Sequence, residues 1–210
     1  MPHIFIHGLG QTASSWEQTI WHLNLTAGCH CPNLPDLFQD STITYSSLYE
    51  AFKKYCGHFS EPLNLCGLSL GGILALHYTI EHPDRVKSLV LIGTQYCMPK
   101  ALLHFQNIIF RFMPDSMFQQ MGFGKKDFIS LSKSMMELDF RQHLNKASCP
   151  VMVICGGKDG ANKKASKQLS LLLPNAQLKI IPDTGHELNI GAPERLADII
   201  SEFYTSTRST

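Results

Sequence analysis

Six short apolar runs constrain the fold of this 210-residue chain more than any other feature. Each run ends at a glycine or a polar turn, and longer stretches with helical spacing separate the runs. This alternation is typical of β-α units in a parallel sheet, and continuously apolar strands indicate a sheet covered on both faces. The predicted strands are residues 3–7, 28–33, 62–67, 86–92, 150–156 and 176–181. The pattern predicts an α/β protein, a three-layer sandwich of about six mostly parallel strands.

Single residues predict where some elements lie and end. Pro32 has no backbone N–H to donate to a neighbouring strand, so we expect its strand at an edge of the sheet. Asn162 can cap a helix that ends before Pro174, and Pro193 at a first-turn position opens the last helix.

Residues 97–147 do not follow the strand-helix alternation. They hold six of the eight methionines and seven of the twelve phenylalanines, but they contain no strand pattern. We expect a short helical insertion here, between the fourth and fifth strands, with a break near residues 121–124. The length and apolar content of the chain are those of one core, so residues 1–210 are predicted to form a single domain that carries this insertion.

The charge balance argues against several classes of partner. A formal net charge of +1 and a sequence pI near 7.7 provide no basic surface that would attract a nucleic-acid backbone. The first residues lack the pattern of a secretion signal, and no apolar run has the length of a membrane span. We expect a small-molecule substrate, no nucleic acid and no membrane span, and the sequence does not indicate an oligomeric state.

The seven cysteines form no CxxC pair, and most lie among apolar residues, where cysteine packs as a small hydrophobic side chain. This usage favours a reduced, cytoplasmic protein. Cys29-His30-Cys31 offers potential metal ligands, but no second cluster completes a tetrahedral site. Packing in a strand or in the core is the simpler interpretation, and we expect no bound metal.

The run Gly67-Leu68-Ser69-Leu70-Gly71 lies where the third predicted strand meets a helix. A serine in such a tight turn needs small neighbours two residues away, and the two glycines meet that need. The turn also places Ser69 at a helix N-terminus, where free amides and the helix dipole favour negative charge. The pattern predicts Ser69 as a nucleophile and the Leu70 amide as an oxyanion donor. The alternative is a glycine-rich turn with a purely structural role.

A serine nucleophile needs a base and a group that orients the base. His186 follows the last predicted strand, at the end of the sheet where Ser69 must lie. Asp159 follows the fifth strand at that same end and is the preferred acid. Asp183 competes with it, but it lies in the loop of His186 itself and is better suited to forming a turn.

The chain order serine, aspartate, histidine is the order of the α/β-hydrolase superfamily. The sequence resembles this superfamily, and specifically a small cytoplasmic group of carboxylesterases, a methyl ester esterase of the biotin pathway and an enol-lactonase. Four motifs carry the resemblance, in family order: the loop His7-Gly8-Leu9-Gly10, the elbow from Gly67 to Gly72, the acid loop from Gly156 to Asp159, and Gly185-His186.

The resemblance implies a serine esterase that forms an acyl-enzyme without any cofactor. It also implies that the Leu9 amide is the second oxyanion donor, while His7 holds the loop in place. Two features depart from the family. Its opening β-hairpin is missing, and the insertion at 97–147, which stands where the family has its cap, is short.

The insertion suggests the substrate. Apolar side chains at helical spacing are expected to line a pocket above the nucleophile, which would suit a carboxylic ester, lactone or thioester with an apolar acyl or aromatic group. These residues are Leu102, Leu103, Phe105, Ile108, Ile109, Phe112 and Met113. The alternative is that they pack against the sheet and leave only a narrow site.

Two further functions use the same framework. Carbon–carbon bond hydrolases and some lyases keep the triad but use it mainly for proton transfer. A receptor or scaffold on this fold would bind a ligand without turning it over. Because Ser69, Asp159 and His186 are all present, the receptor is the weaker of these alternatives.

Overall fold

A computed structural model of the chain describes residues 1–25, 28–37, 43–119 and 124–208. Within this part of the chain, six strands form one sheet in which every neighbouring pair is parallel, in the order β2-β1-β3-β4-β5-β6. The strands are β1 (His3–Ile6), β2 (Cys29–His30), β3 (Leu63–Leu68), β4 (Val86–Ile92), β5 (Val151–Gly156) and β6 (Ala176–Ile181). The predicted α/β fold is confirmed.

The second strand lies at an edge of the sheet, as its proline predicts. Among the described strands it pairs with β1 alone, through His3 opposite Cys29 and Ile4 opposite His30. At two residues it is shorter than the predicted run of 28–33. Pro32 explains the early end, because it cannot donate a hydrogen bond to β1.

Helices cover both faces of the sheet. They are α1 (Glu17–Leu23), α2 (Tyr45–Gly57), α3 (Leu70–Glu81), α4 (Lys100–Phe112), α5 (Asp115–Gln119), α6 (Lys125–Met135), α7 (Lys163–Leu172), α8 (Leu188–Gly191) and α9 (Pro193–Arg208). No helix in the described part of the chain combines the length and the apolar character needed to cross a bilayer. The cytoplasmic location stays a prediction.

Side chains alternate between the two faces, as the two-residue period of a strand requires. Ile4 and Ile6 of β1 belong to the core that α2, α3 and α7 cover, whereas Phe5 belongs to the core under α1 and α9. Val90 and Ile92 of β4 join Phe5 on the second face. Burial on both faces explains why the central strands read as continuous apolar runs.

The segment between β4 and β5 is helical, as predicted for residues 97–147. Its helices α4, α5 and α6 are joined by edge-to-face contacts among Phe110, Phe118 and Phe128, with ring centroids 5.0 to 5.8 Å apart. Residues 121–123 of the predicted break lie outside the described residues. The single domain and the boundaries of the insertion stay predictions.

All six described strands are parallel and place their carboxyl ends at one edge of the sheet. In an open α/β sheet, ligands bind in the crevice beyond this edge. The loop with His7 follows β1, Ser69 follows β3, Gly93 follows β4, Asp159 lies just beyond β5, and His186 follows β6. The topology therefore gathers residues that are far apart in sequence.

Candidate active site

Ser69 occupies the turn between β3 and α3 with φ 54° and ψ −114°. Positive φ is rare for residues other than glycine and is tolerated only where the surroundings hold it in place. The Ser69 amide donates a hydrogen bond of 2.9 Å to the Ile92 carbonyl at the end of β4. The turn is thus held to the neighbouring strand, and Ser69 stands at the N-terminus of α3.

The glycines on either side of Ser69 lie where any side chain would collide with backbone. A Cβ atom at Gly67 would overlap the carbonyl oxygen of Gly71. A Cβ atom at Gly71 would overlap the carbonyl oxygen of Ile6. The spacing of two glycines around the serine therefore reflects close approach of α3 to both β3 and β1.

His186 and Asp159 form a close pair. His186 Nδ1 lies 2.7 Å from Asp159 Oδ2, and Asp159 is 6% exposed. Burial alone would raise the pKa of Asp159, but hydrogen bonds from His186 and Asn162 outweigh it and hold that pKa below its ordinary value. The carboxylate is therefore ionised at neutral pH. It accepts the Nδ1–H of the imidazole, which leaves Nε2 as the proton acceptor.

Asn162 supports this pair instead of capping its helix. It stands at the N-cap position of α7, but its side chain makes no capping hydrogen bond. Its Nδ2 group lies 2.9 Å from Asp159 Oδ1 and 3.0 Å from Oδ2, where it donates to the carboxylate. Asn162 Nδ2 is also 3.2 Å from His186 Nδ1. Since both groups are donors when His186 bonds to Asp159, we interpret this last approach as packing.

A cavity of about 400 Å³ opens beside Ser69. Ser69, His186, Leu9 and Leu70 all line it, and Asp159 lies behind His186. Among the described residues, no hydrogen bond joins Ser69 to His186. The apolar lining from α3 and the α4–α6 segment consists of Ile73, Leu103, Phe110, Met113, Phe118, Phe128 and Met135. The described lining includes no lysine or arginine, and its one carboxylate belongs to Glu187.

A serine at a strained strand-to-helix turn, close to a histidine-aspartate pair at the ends of parallel strands, is the arrangement of one large enzyme family. The family model described as the alpha/beta hydrolase family matches residues 4–199. The chain belongs to the alpha/beta hydrolase family. The family predicted from the four motifs is confirmed, and so is the prediction of a hydrolase.

Similarity to individual proteins extends over most of this hydrolase. The pimeloyl-acyl-carrier-protein methyl ester esterase of Vibrio vulnificus is 23% identical over an alignment 239 positions long, and the alignment covers 95% of this chain and 92% of the relative. A Bacillus subtilis protein provisionally named 2-succinyl-6-hydroxy-2,4-cyclohexadiene-1-carboxylate synthase is 24% identical over 203 residues, covering 79% of this chain and 73% of the relative. A solved thermophilic esterase from Thermogutta terrifontis has a TM-score of 0.80 at 20% identity, covering 99% of this chain and 90% of the esterase.

The histidine of the first loop holds the backbone of the hydrolase. His7 is fully buried; its Nε2 accepts a hydrogen bond of 3.0 Å from the Leu34 amide, and its Nδ1 donates one of 2.9 Å to the Gly8 carbonyl. Burial lowers the pKa of His7, so the ring is neutral at physiological pH. These bonds agree with the expected role of His7 in positioning its loop.

A second tie on the same loop was not predicted from the sequence. Gln11 is 4% exposed and exchanges hydrogen bonds of 3.1 and 3.2 Å with the side chain of Asn189. Gln11 also donates to Glu187 at 3.1 Å and accepts a longer bond, 3.4 Å, from the Gly8 amide. The loop that carries Leu9 is thereby bonded to the residues that follow His186.

Gly93 was also missed by the sequence analysis. It has φ 53°, and a Cβ atom there would lie 2.8 Å from His186 Nδ1 and 3.2 Å from Asp159 Oδ2. The backbone after β4 thus packs directly against the histidine-aspartate pair. A glycine immediately after a buried strand is the signal that could have identified it.

The prediction for the apolar face of α4 was wrong in part. Leu103 and Met113 line the cavity, but Ile108, Ile109 and Phe112 are exposed, Phe112 to 85%. The side chains of Leu102 and Phe105 lie outside the described part of the structure. Helical spacing shows which residues share a face of a helix. Because the apolar residues of α4 extend over more than one face, the spacing alone could not predict which of those faces borders the cavity.

Metal binding receives no support from the described residues, which contain no group of three histidine, cysteine or acidic side chains placed to hold an ion. Cys29 and Cys31 are unpaired and half-buried. Burial raises the pKa of Cys31 to about 12, so its thiol is protonated at neutral pH.

Proposed function

We propose that this α/β hydrolase cleaves carboxylic esters by acyl transfer through Ser69. One observation carries the proposal. Ser69, with its positive φ, shares a cavity with His186, whose Nδ1 is 2.7 Å from Asp159. A nucleophile, a base and a group that fixes the tautomer of the base are the minimum set for this chemistry.

In the proposed reaction, His186 Nε2 takes the proton of Ser69 as the serine oxygen bonds to the acyl carbon. The bond to the alcohol then breaks, and the alcohol leaves with that proton. Water, deprotonated by His186, attacks the acyl-enzyme, the acid leaves, and the proton returns to Ser69. No hydrogen bond joins Ser69 to His186 in the described structure, so the two side chains must come within hydrogen-bond distance before the first transfer.

The amides of Leu9 and Leu70 are the proposed oxyanion donors. Leu70 is the first residue of α3, so its N–H has no partner within the helix. Leu9 lines the same cavity on the loop that Gln11 and His7 hold. Amides fixed in advance stabilise the developing negative charge without reorganising during the reaction.

The cavity supports an uncharged substrate with an apolar acyl or aromatic group. Its volume of about 400 Å³ accommodates a medium-length chain, and its described lining has no cation to pair with an anionic group. We propose that the α4–α6 segment acts as the cap that sets this preference. Lactones and thioesters present the same carbonyl chemistry and belong to the proposed class. The esterase names of relatives add support.

A fluorophosphonate probe tests the nucleophile. Wild-type protein should be labelled and the Ser69→Ala variant should not, while Ser170→Ala, at a partly exposed position of α7, should label like wild type. Equal labelling of wild type and Ser69→Ala would refute the proposal. Hydrolysis rates on p-nitrophenyl esters of graded acyl length would then show which length of acyl chain the cavity accepts.

A second candidate is carbon–carbon bond cleavage or a lyase reaction with the same residues. The similarity to a relative provisionally named as a synthase favours it. A panel of dienones and β-keto acids separates the two candidates. Turnover of a member of that panel, together with no hydrolysis of aryl esters, would replace the esterase with this second function.

A further inference from the structure

Two buried polar side chains of the α4–α6 segment have no hydrogen-bond partner among the residues that the structure describes. Ser132 of α6 is 2% exposed, and its Oγ atom is one of these unpaired atoms. Asn107 of α4 is 4% exposed, and its Oδ1 and Nδ2 atoms are the other two. Folded proteins pair the great majority of buried polar atoms, so three unpaired atoms in neighbouring helices require an explanation.

Ser132 lines the cavity, whereas Asn107 is absent from its described lining and lies beside it on α4. Ser132 stands between Phe128, four residues earlier, and Met135, three residues later, which also line the cavity. Asn107 stands in the same relation to Leu103 and Phe110 on α4. Residues three and four apart share one face of a helix. Ser132 therefore interrupts an otherwise apolar surface of the cap, and Asn107 lies between two residues of α4 that belong to that surface.

The chemistry of these groups defines what they can bind. A serine hydroxyl and a carboxamide can each donate and accept a hydrogen bond, and neither carries charge. No lysine or arginine is found in the described lining, so a carboxylate or a phosphate would enter without a counter-charge. A hydroxyl, ketone or amide oxygen matches both groups.

We propose that Ser132 and Asn107 form a second subsite that binds a neutral oxygen function on the acyl chain, separate from the ester group. This proposal rests on the proposed esterase function, because that function places the ester carbonyl at Ser69 and the acyl chain towards the cap. The preferred substrate is then an oxygenated acyl ester, in which a hydroxyl or keto group lies at a fixed distance from the scissile carbonyl.

A positional series tests the subsite. Wild-type kcat/KM is measured on methyl octanoate and on its hydroxy and keto derivatives with oxygen at successive carbons. One position should exceed the unmodified ester by about tenfold, the effect expected of one added hydrogen bond to a buried group. In Ser132→Ala and in Asn107→Leu the ratio of kcat/KM for the favoured oxygenated ester to kcat/KM for methyl octanoate should fall from about ten to about one.

Ser130→Ala is the matched control. Ser130 is on the same helix, is partly exposed and is absent from the described lining, so its removal should leave the positional preference intact. Alanine favours helices, and the Ser132 hydroxyl has no hydrogen bond to lose within the described part of the chain, so Ser132→Ala should retain the wild-type Tm. A preference that persists in both test variants, or a series without any favoured position, overturns the subsite.

Binding measurements distinguish a failure of the proposed subsite from a failure of the proposed esterase function. Affinities of the same esters for the Ser69→Ala protein, measured by calorimetry, require no catalysis. A positional preference in binding that Ser132→Ala removes would uphold the subsite even if wild type hydrolysed no ester. If the two polar groups hold only water, the affinities would show no preferred position, and the subsite would be refuted while the esterase stands.

Discussion

Gln11 and Asn189 form a reciprocal pair of amide hydrogen bonds, although 178 residues separate them in the chain. Asn189 also donates to the Ser15 carbonyl, and its own carbonyl accepts from Thr19. The pair joins the loop of Leu9 to the segment after His186. The proposed oxyanion donor and the proposed base are therefore positioned by one buried network.

Replacing Gln11 with methionine should uncouple the two loops. The variant keeps the length of the side chain but leaves the Asn189 amide without its partner, which costs about 1–3 kcal/mol of unfolding free energy. We expect a lower Tm and a lower kcat. The matched control is Gln177→Met, at an exposed position of β6. Denaturant unfolding and ester hydrolysis measure both effects, and a wild-type kcat in Gln11→Met would contradict the positioning role.

Substituting Gly93 with alanine should displace the histidine-aspartate pair. A Cβ atom at 2.8 Å from His186 Nδ1 forces the ring to move, and the positive φ adds backbone strain of about 1 kcal/mol or more. Since a small misplacement of a catalytic group can lower the rate by about a hundredfold, we expect a large fall in kcat.

The control for this glycine is Gly57→Ala at the end of α2, where a Cβ atom meets nothing within 4 Å. It should keep wild-type activity. Steady-state kinetics on an aryl ester, with circular dichroism as a check on folding, compares the two variants. Full activity in Gly93→Ala would show that the pair tolerates displacement.

Asp159 predicts a particular dependence of stability on pH. Folding lowers its pKa below the ordinary value of 3.8, so the ionised carboxylate contributes stability above that value. The contribution is lost as the pH falls through the lower pKa of the folded state. Asp159→Asn should therefore differ from wild type in Tm near neutral pH and approach it in acid. A Tm difference that stays constant down to about pH 2 would contradict this linkage.

The same variant tests catalysis. An asparagine in place of Asp159 cannot hold the productive tautomer of His186, and the analogous loss in serine proteases lowers kcat by about 10⁴. The comparison variant is Asp183→Asn, because Asp183 is exposed and was the competing candidate in the sequence. A larger loss in Asp183→Asn than in Asp159→Asn would reverse the assignment.

Filling the cavity should shift the preferred acyl length. Met135 lines it, and a phenylalanine there reduces its volume without adding charge. We expect Met135→Phe to lower kcat/KM by about tenfold for long acyl chains and to spare the short ones, since one or two methylene groups in an apolar pocket are worth about 1–3 kcal/mol. Met136→Phe, at the next and half-buried position, is outside the described lining and should keep the wild-type profile.

Local sequence patterns were sufficient to predict the sheet and to identify the four motifs of the family. Apolar runs bounded by turns identify the strands, and Gly67 and Gly71 are constrained by their immediate neighbours. The roles of Gln11 and Gly93 were not predicted, because the residues that they contact are distant in sequence. The spacing of apolar residues along a strand or helix does not reveal such contacts. Asn162 was given a local capping role that its contact with Asp159 replaces.

The charge of the cavity has a consequence for the end of the proposed reaction. A neutral ester enters a space whose described lining has no lysine or arginine, and hydrolysis turns its acyl half into an anion. That anion shares the cavity with the Glu187 side chain, and the described lining offers it no lysine or arginine as a counter-ion. Without a lysine or arginine in that lining to pair with it, the acid should leave readily, and accumulating product should inhibit the enzyme only weakly.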